Sequence, residues 1–280
     1  MEPIRISLDD YVLTGGGGNG ESYDLKSDPS VMLKLYFPGK IDQPLDEMIL
    51  SRKVFELGIP TPEPGDYVVT DDGRYGIRFL RIAGKKSYAR ACGDNPSLVP
   101  QYAAEFASMC KHLHAVHVPT SEFENVKVRY LRILADSPYF TPLEKEKVRD
   151  YIISVPDADT AIHGDLQFGN AIFTGGERYF IDLGDFCYGH PYFDLGMLYL
   201  SCKLTSDEFL HDIFHMDYDT ASRFWDCFVP EYFGPEMTLS EAEELILPFA
   251  ALKTIIIDRD SGCRRQEFHD IIERTILQKR

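Results

Sequence analysis

The sequence predicts an α+β chain: a β-rich front of about eighty residues, then a longer and mainly helical back. Two observations carry this. Up to Leu80, short apolar runs rich in β-branched and aromatic residues alternate with Gly, Asp and Asn turns. After Gly84, apolar residues recur at helical spacing. The boundary is placed at 82/83, giving domains 1–82 and 83–280.

In order along the chain, "DYVLTGGGGNGESYDL" places two apolar flanks around a glycine-rich turn. "SVMLKLYF" (Ser30 to Phe37) reads as a buried strand with one charge, Lys34. "PLDEMILSRKVFELG" has helical spacing and ends at Gly58, with Pro60 beyond. "DYVVT" and "YGIRFLRI" flank the turn "DDGR" and predict a hairpin. "PQYAAEFASMCKHLHAVH" sets Tyr102, Phe106, Met109, Leu113 and Val116 on one helical face. A second helix is expected over Pro142 to Ile153, and several more from Phe193 onward.

Composition narrows the function. With 280 residues, 44% hydrophobic and 26% charged, the chain can bury a substantial core. A formal net charge of −16 argues against a nucleic-acid surface, which needs a basic patch. It suits a cationic small molecule, and it also simply confers solubility. Six cysteines, at 92, 110, 187, 202, 227 and 263, form no Cys-x-x-Cys pair, a pattern of neither a zinc site nor a disulfide framework. "MEPIRISLDDYVL" lacks a signal pattern and no apolar run approaches membrane-spanning length. A cytoplasmic protein is the expectation.

The chemistry concentrates in "IHGDLQFGN" (Ile162 to Asn170), where Asp165 and Asn170 sit in an apolar setting. The following "AIFTGGERYFIDLGDF" predicts a hairpin. Folded about Gly176, it sets Phe173 against Tyr179, Ile172 against Phe180 and Asn170 against Asp182. Facing Cβ atoms would be roughly 5 Å apart, close enough to share a cation. Oxygen ligands without His or Cys suit Mg2+, which completes its shell with water and phosphate. Two residues holding metal beside one carboxylate that accepts a hydroxyl proton is a phosphoryl-transfer arrangement.

The order His-x-Asp-x-x-x-x-Asn, hairpin, Asp-x-Gly resembles the catalytic and metal loops of the protein-kinase fold. The His-Gly-Asp form and "IDLGDFCYGHPYFDLG" look more like the aminoglycoside phosphotransferase and choline kinase family. The resemblance implies a two-lobed fold, with a β-rich nucleotide-binding N-lobe and a mainly helical C-lobe that is catalytic and binds the acceptor. It implies Asp165 as catalytic base, Asn170 and Asp182 as magnesium ligands, and Asp194 as support for the loop. ATP is the implied donor, with GTP an alternative, and Mg2+ the cofactor. The acceptor is implied to be a hydroxyl of a small molecule such as an aminoglycoside, choline or an amino sugar.

The front part can be read against the same pattern. Lys34, alone in an apolar strand, needs a partner, and Glu47 on the following helix is the natural one. "EMILSRKVFELGIPTP" resembles the family's helix acid upstream of its Gly-Val-Pro turn, so the likeness runs to about residue 200. Gly15, Gly17 and Gly20 in "TGGGGNGE" can be threaded through Gly-x-Gly-x-x-Gly as a phosphate-covering flap, without the Lys-Ser/Thr ending of a Walker loop. Small acceptors are favoured over proteins because no "APE" follows and only eight residues separate Asp185 from Asp194.

Plainer readings apply elsewhere. His163 is expected to orient its loop by hydrogen bonds, and Asp185 to cap a turn. His112, His114 and His117 do not share a helical face, which disfavours zinc. Trp225, Tyr218 and Phe224 are expected in the core rather than in an acceptor pocket. Asp207, Glu208, Asp258 and Asp260 are left unassigned. Two other functions fit the motif less well: a nucleotide-binding pseudokinase with a scaffold or regulatory role, and a metal-dependent hydrolase.

Overall fold

The computed structural model describes residues 2–39 and 42–278. Its front is a mixed sheet built from β1 (Ile4–Ile6), β2 (Tyr11–Gly16), β3 (Gly20–Leu25) and β4 (Asp28–Tyr36). The helix α1 (Asp42–Glu56) follows, then β5 (Pro64–Thr70) and β6 (Tyr75–Leu80). The spatial order is β1-β5-β6-β4-β3-β2, with β1 parallel to β5 and the other neighbours antiparallel. Period-two alternation along β4 divides its side chains between two apolar clusters. Leu33 and Leu35 join Ile6, Tyr11 and Val68 on one side, while Tyr36 joins Met48 of α1, Ile77 and Phe79 on the other. Lys34 shares the parity of Tyr36, so it emerges on the side that α1 covers. The helix stops where expected: Gly58 adopts φ 76°, a left-handed value that glycine takes without Cβ strain, and its N–H bonds to Phe55 O.

Beyond the two-residue β7 (Lys86–Ser87) the chain turns helical. α2 (Tyr88–Asp94) starts on the Ser87 hydroxyl, and α3 (Val99–His114) carries the amphipathic face seen in the sequence. That helix ends before Val116, which lies outside it. α4 (Val126–Asp136) is capped by Asn125, and α5 (Pro142–Ser154) by a Thr141–Glu144 capping box. The short β8 (Ala161–Ile162) precedes the "HGDLQFGN" loop.

The next hairpin, β9 (Ala171–Thr174) and β10 (Glu177–Phe180), corrects the expected register by one residue. Phe173 faces Arg178, Ile172 faces Tyr179 and Ala171 faces Phe180. The cause is the turn: Gly175 and Gly176 both have positive φ, so the connection has two residues rather than three. The ladder stops at Phe180, and Asp182 is not paired with Asn170 across it.

β11 (Cys187–Tyr188) pairs with β8, and α6 (Tyr192–Tyr199), α7 (Asp207–Phe209), α8 (Tyr218–Phe233), α9 (Leu239–Ser261) and α10 (Gln266–Ile272) complete the chain. Trp225 and Phe224 of α8 are fully buried in the aromatic core, whereas Tyr218 is exposed. Gly196 of α6 is required: a Cβ there would press into the α9 backbone at Phe249. No described helix is long and apolar enough to cross a membrane.

By contacts the chain forms two compact units. One runs to Lys86 and includes Ala171–Asp185; the other comprises Ser87–Asn170 and Phe186 onward. A single cut at 82/83 therefore does not describe the packing. The hairpin is tied to the front by bonds from Phe180 N to Pro60 O and from the Thr174 hydroxyl to Ala83 O.

Candidate active site

In the first unit, the strand, the helix and the segment after β10 bring three charged side chains together. Lys34 Nζ donates to Glu47 Oε1 at 2.7 Å and Oε2 at 2.9 Å, and it also pairs with Asp182 Oδ1. The Tyr36 hydroxyl, two residues along the same face of β4, donates to Glu47 Oε2. Burial opposes the charge on Lys34, but Asp182 and Glu47 together outweigh it and hold its pKa above the usual lysine value. Burial, then the Glu47 charge, pushes the Tyr36 phenol far upward.

Local backbone explains how Asp182 reaches this cluster. It has φ 61°, a left-handed conformation that costs a non-glycine residue about 1 kcal/mol or more but that Asp tolerates better than most. A turn of 3-10 helix, Leu183–Asp185, follows and packs on α1. Gly184 within it lies against Glu47, since a Cβ there would come 3.3 Å from Glu47 Oε2. Asp185 is exposed at the end of that turn. In the glycine hairpin, Gly20 is demanded by packing, because a Cβ would collide with the Leu35 carbonyl. Among the described residues nothing lies within 4 Å of a Cβ placed on Gly15 or Gly17, so those two are free of that constraint.

In the second unit, the loop after β8 is organised around Asp165. Asn170 Nδ2 donates to Asp165 Oδ2 and to its carbonyl, both at 3.0 Å. The other oxygen, Oδ1, pairs with Lys253 Nζ of α9 at 3.0 Å, and the same ammonium donates to Gly164 O at 2.8 Å. Burial works to raise the Asp165 pKa, but Lys253, with His163 and Asn170, brings it below the ordinary carboxylate value.

The loop is also pinned from behind. Asp194, fully buried near the start of α6, accepts from His163 N at 2.7 Å and from Gly164 N at 2.8 Å. His114 of α3 is hydrogen-bonded through Nε2 to the same carboxylate at 3.1 Å and through Nδ1 to the Tyr232 hydroxyl at 2.8 Å. Gly164, with φ 81°, needs to be glycine. His163 is fully buried, and its ring Nδ1 accepts from Asp165 N. The "HLHAVH" histidines go to three separate partners, His112 to Ser108 O, His114 to Asp194, and His117 to Asp159.

The site thus contains residues that motif reading did not select. Tyr36 looks like an ordinary core residue in sequence, and His114 stands out only as one of the "HLHAVH" histidines. Lys253 did carry a signal, a single charge inside "PFAALKTIII", the same signal that marks Lys34.

The comparisons with known proteins bear on the family and the fold. Residues 12–225 match the phosphotransferase enzyme family, APH. No curated protein matches the chain by sequence. Among solved structures, one similar fold is a choline/ethanolamine kinase family protein from Mesorhizobium loti. It is 15% identical with TM-score 0.54, over 95% of this chain and 86% of that one. Another is an amicoumacin kinase in complex with AMP-PNP and Ca2+, 15% identical with TM-score 0.58, over 98% and 88% of the two chains. A third is the aminoglycoside phosphotransferase APH(4)-Ia with ADP and hygromycin B, 11% identical with TM-score 0.63, over 95% and 90%. These likenesses show the α+β, protein-kinase-like fold, and the match over most of the sequence shows the family. The chain belongs to the phosphotransferase enzyme family.

Proposed function

We propose that the protein transfers the γ-phosphoryl group of ATP, with Mg2+, to a hydroxyl of a small molecule of the aminoglycoside, choline or amino-sugar kind. The observation that carries this reading is the Lys34–Glu47–Asp182 cluster, a lysine held on a strand by a helix acid and the Asp of Asp-Leu-Gly. Lys34 would contact the α and β phosphates, with Glu47 fixing its direction. Gly15, Gly17 and Gly20 would form the hairpin over the phosphates. GTP is an alternative donor.

Asp182 would offer its half-exposed carboxylate and Asn170 its amide oxygen. This is an all-oxygen set small enough to leave the remaining positions to water and phosphate, which suits Mg2+. Among the described residues there is no group of three His, Cys, Asp or Glu that would cage a metal by itself. When bound, the ion would neutralise charge on the transferred phosphoryl group.

Asp165 would accept the proton of the acceptor hydroxyl as that oxygen bonds to the γ-phosphorus. The bond to the bridging oxygen breaks, and its electron pair leaves with ADP. His163 and Asp194 would hold the loop that presents Asp165. Most of the rate would come from positioning and charge neutralisation. A cytoplasmic setting accords with the scattered cysteines, and the acidic charge accords with a partner other than nucleic acid.

The test is transfer of radiolabelled γ-phosphate from ATP to a panel of aminoglycosides, choline and amino sugars, with and without Mg2+. Labelling of one class is expected, lost on chelation and reduced roughly a hundred- to ten-thousandfold in Asp165→Ala. Wild-type turnover in both Asp165→Ala and Asp182→Ala would sink the assignment.

A further inference from the structure

Lys253 occupies the middle of α9, where Ala250, Ala251, Leu252, Thr254 and Ile255 are all buried, and it is itself only 4% exposed. An ammonium there has lost its hydration and is stable only if protein groups replace it. It donates to Gly164 O at 2.8 Å and pairs with Asp165 Oδ1 at 3.0 Å, both on one loop. The helix is kept at the right depth by the Gly196 contact, which allows α6 and α9 to approach backbone to backbone.

The two oxygens of Asp165 are therefore held by different elements, Oδ1 by Lys253 and Oδ2 by Asn170. Asn170 is neutral: its hydrogen bond orients the carboxylate without cancelling its charge. Lys253 orients it and also cancels its charge. That second effect matters in a phosphoryl-transfer site, because an unbalanced carboxylate repels a triphosphate.

We infer that Lys253 is a positioning residue for the transfer: it fixes Asp165 and neutralises it, so that an anionic γ-phosphoryl group can be brought to the carboxylate that takes the acceptor's proton. This role rests on the phosphotransferase reading with Asp165 as base. Lys253 exchanges no proton and forms no bond. The proton passes from the acceptor oxygen to Asp165, and the ammonium stays charged beside the acid.

The experiment needs no acceptor. Dissociation constants for ATP and ADP, with Mg2+, are measured by calorimetry on the full chain as wild type, Lys253→Met, Lys253→Arg and the double variant Asp165→Asn/Lys253→Met. Lys253→Met is expected to weaken ATP about tenfold while ADP changes by less than about twofold, since only ATP carries the group that meets Asp165. Lys253→Arg, which keeps the charge, should stay within about threefold of wild type for ATP. The double variant should regain wild-type ATP affinity to within about twofold, because the unbalanced negative charge has gone.

That recovery separates the two explanations. A lysine that only ties α9 to the loop would leave the double variant as weak as the single one, which would overturn the inference. So would an unchanged ATP-to-ADP ratio in Lys253→Met. Should Lys253→Met fail to fold, Asp165→Asn alone carries the test from the other side: an uncompensated Lys253 should tighten ATP relative to ADP by about tenfold, and no change refutes the role. Failure of the wild type to bind either nucleotide would instead remove the phosphotransferase reading, and this role with it.

Discussion

Lys34 and Lys253 are both lysines set in apolar surroundings, yet they organise their carboxylates differently. Lys34 stands between Glu47 and Asp182, two carboxylates to one ammonium, which leaves a formal excess of one negative charge. Asp182 is the half-exposed member, so the excess lies where a cation can reach it. Lys253 pairs with the Asp165 carboxylate, one ammonium to one acid. On the proposed mechanism the difference divides the labour. The cluster with spare negative charge takes part in holding a divalent ion, and the balanced one keeps its carboxylate as a base. Asp258, five residues after Lys253 on α9, shows what a poorly compensated carboxylate does in the same unit. Its Oδ1 has no hydrogen-bond partner among the described residues, and burial raises its pKa.

The strongest way to break this comparison is Lys34→Met. It leaves Glu47 and Asp182 facing each other without a cation, and removing one partner of a buried pair costs about 3–5 kcal/mol. Urea denaturation should show a loss of that order, and nucleotide binding should fall with it. Stability equal to wild type would mean that the cluster is not held by charge.

Tyr36→Phe is a finer probe of the same cluster. It deletes the hydroxyl that bonds to Glu47, at a cost of about 1.5–3 kcal/mol for a hydrogen bond to a charged group. If Glu47 steers Lys34 onto phosphates, affinity for ATP should drop while affinity for adenosine holds. An equal drop for both would make Tyr36 a packing residue only.

His114→Ala probes the second unit, where Asp194 would keep its two backbone donors but lose the third. A loss of roughly 1–3 kcal/mol is expected in denaturation. Slower hydrogen exchange at His163 and Gly164 in the variant, rather than faster, would contradict the pinning of the loop.

The smallest effect belongs to Asp258. A carboxyl whose folded pKa lies above its unfolded value contributes stability that is fully present below the unfolded pKa and lost as pH rises through the folded one. From the ordinary value of 3.8 upward, the Asp258 contribution to stability should therefore fade, so Asp258→Asn should gain slightly in stability relative to wild type as pH rises across the mildly acidic range. A steeper decline in the variant would refute the assignment.

Much of the site could be read from short spacings. Asp165 and Asn170 share one loop, Lys34 and Glu47 lie 13 positions apart on a strand and the next helix, and Asp182 follows a hairpin. Period-two and helical patterns located β4, α1, α3 and α5 because those patterns reflect which side chains are buried within one element.

The same local logic failed by one residue in β9–β10. Whether Gly175 and Gly176 both take positive φ is a property of the folded turn, and it shifts every pair in the ladder. Local spacing also could not assign that hairpin to the front unit, since its anchors, Pro60 O and Ala83 O, are distant in the chain.

By itself, then, the sequence determined the α+β class and most of the elements and singled out five candidate site residues, all of them from neighbours within a few tens of positions. Only the tertiary structure decided what holds those residues. Lys253 reaches Gly164 from 89 positions away, Asp194 reaches it from 30, and Asp182 meets Lys34 across 148. The physical reason is that a lone buried charge announces only that it needs a partner. Which partner it finds depends on how the helices and the sheet pack, and no local pattern carries that information.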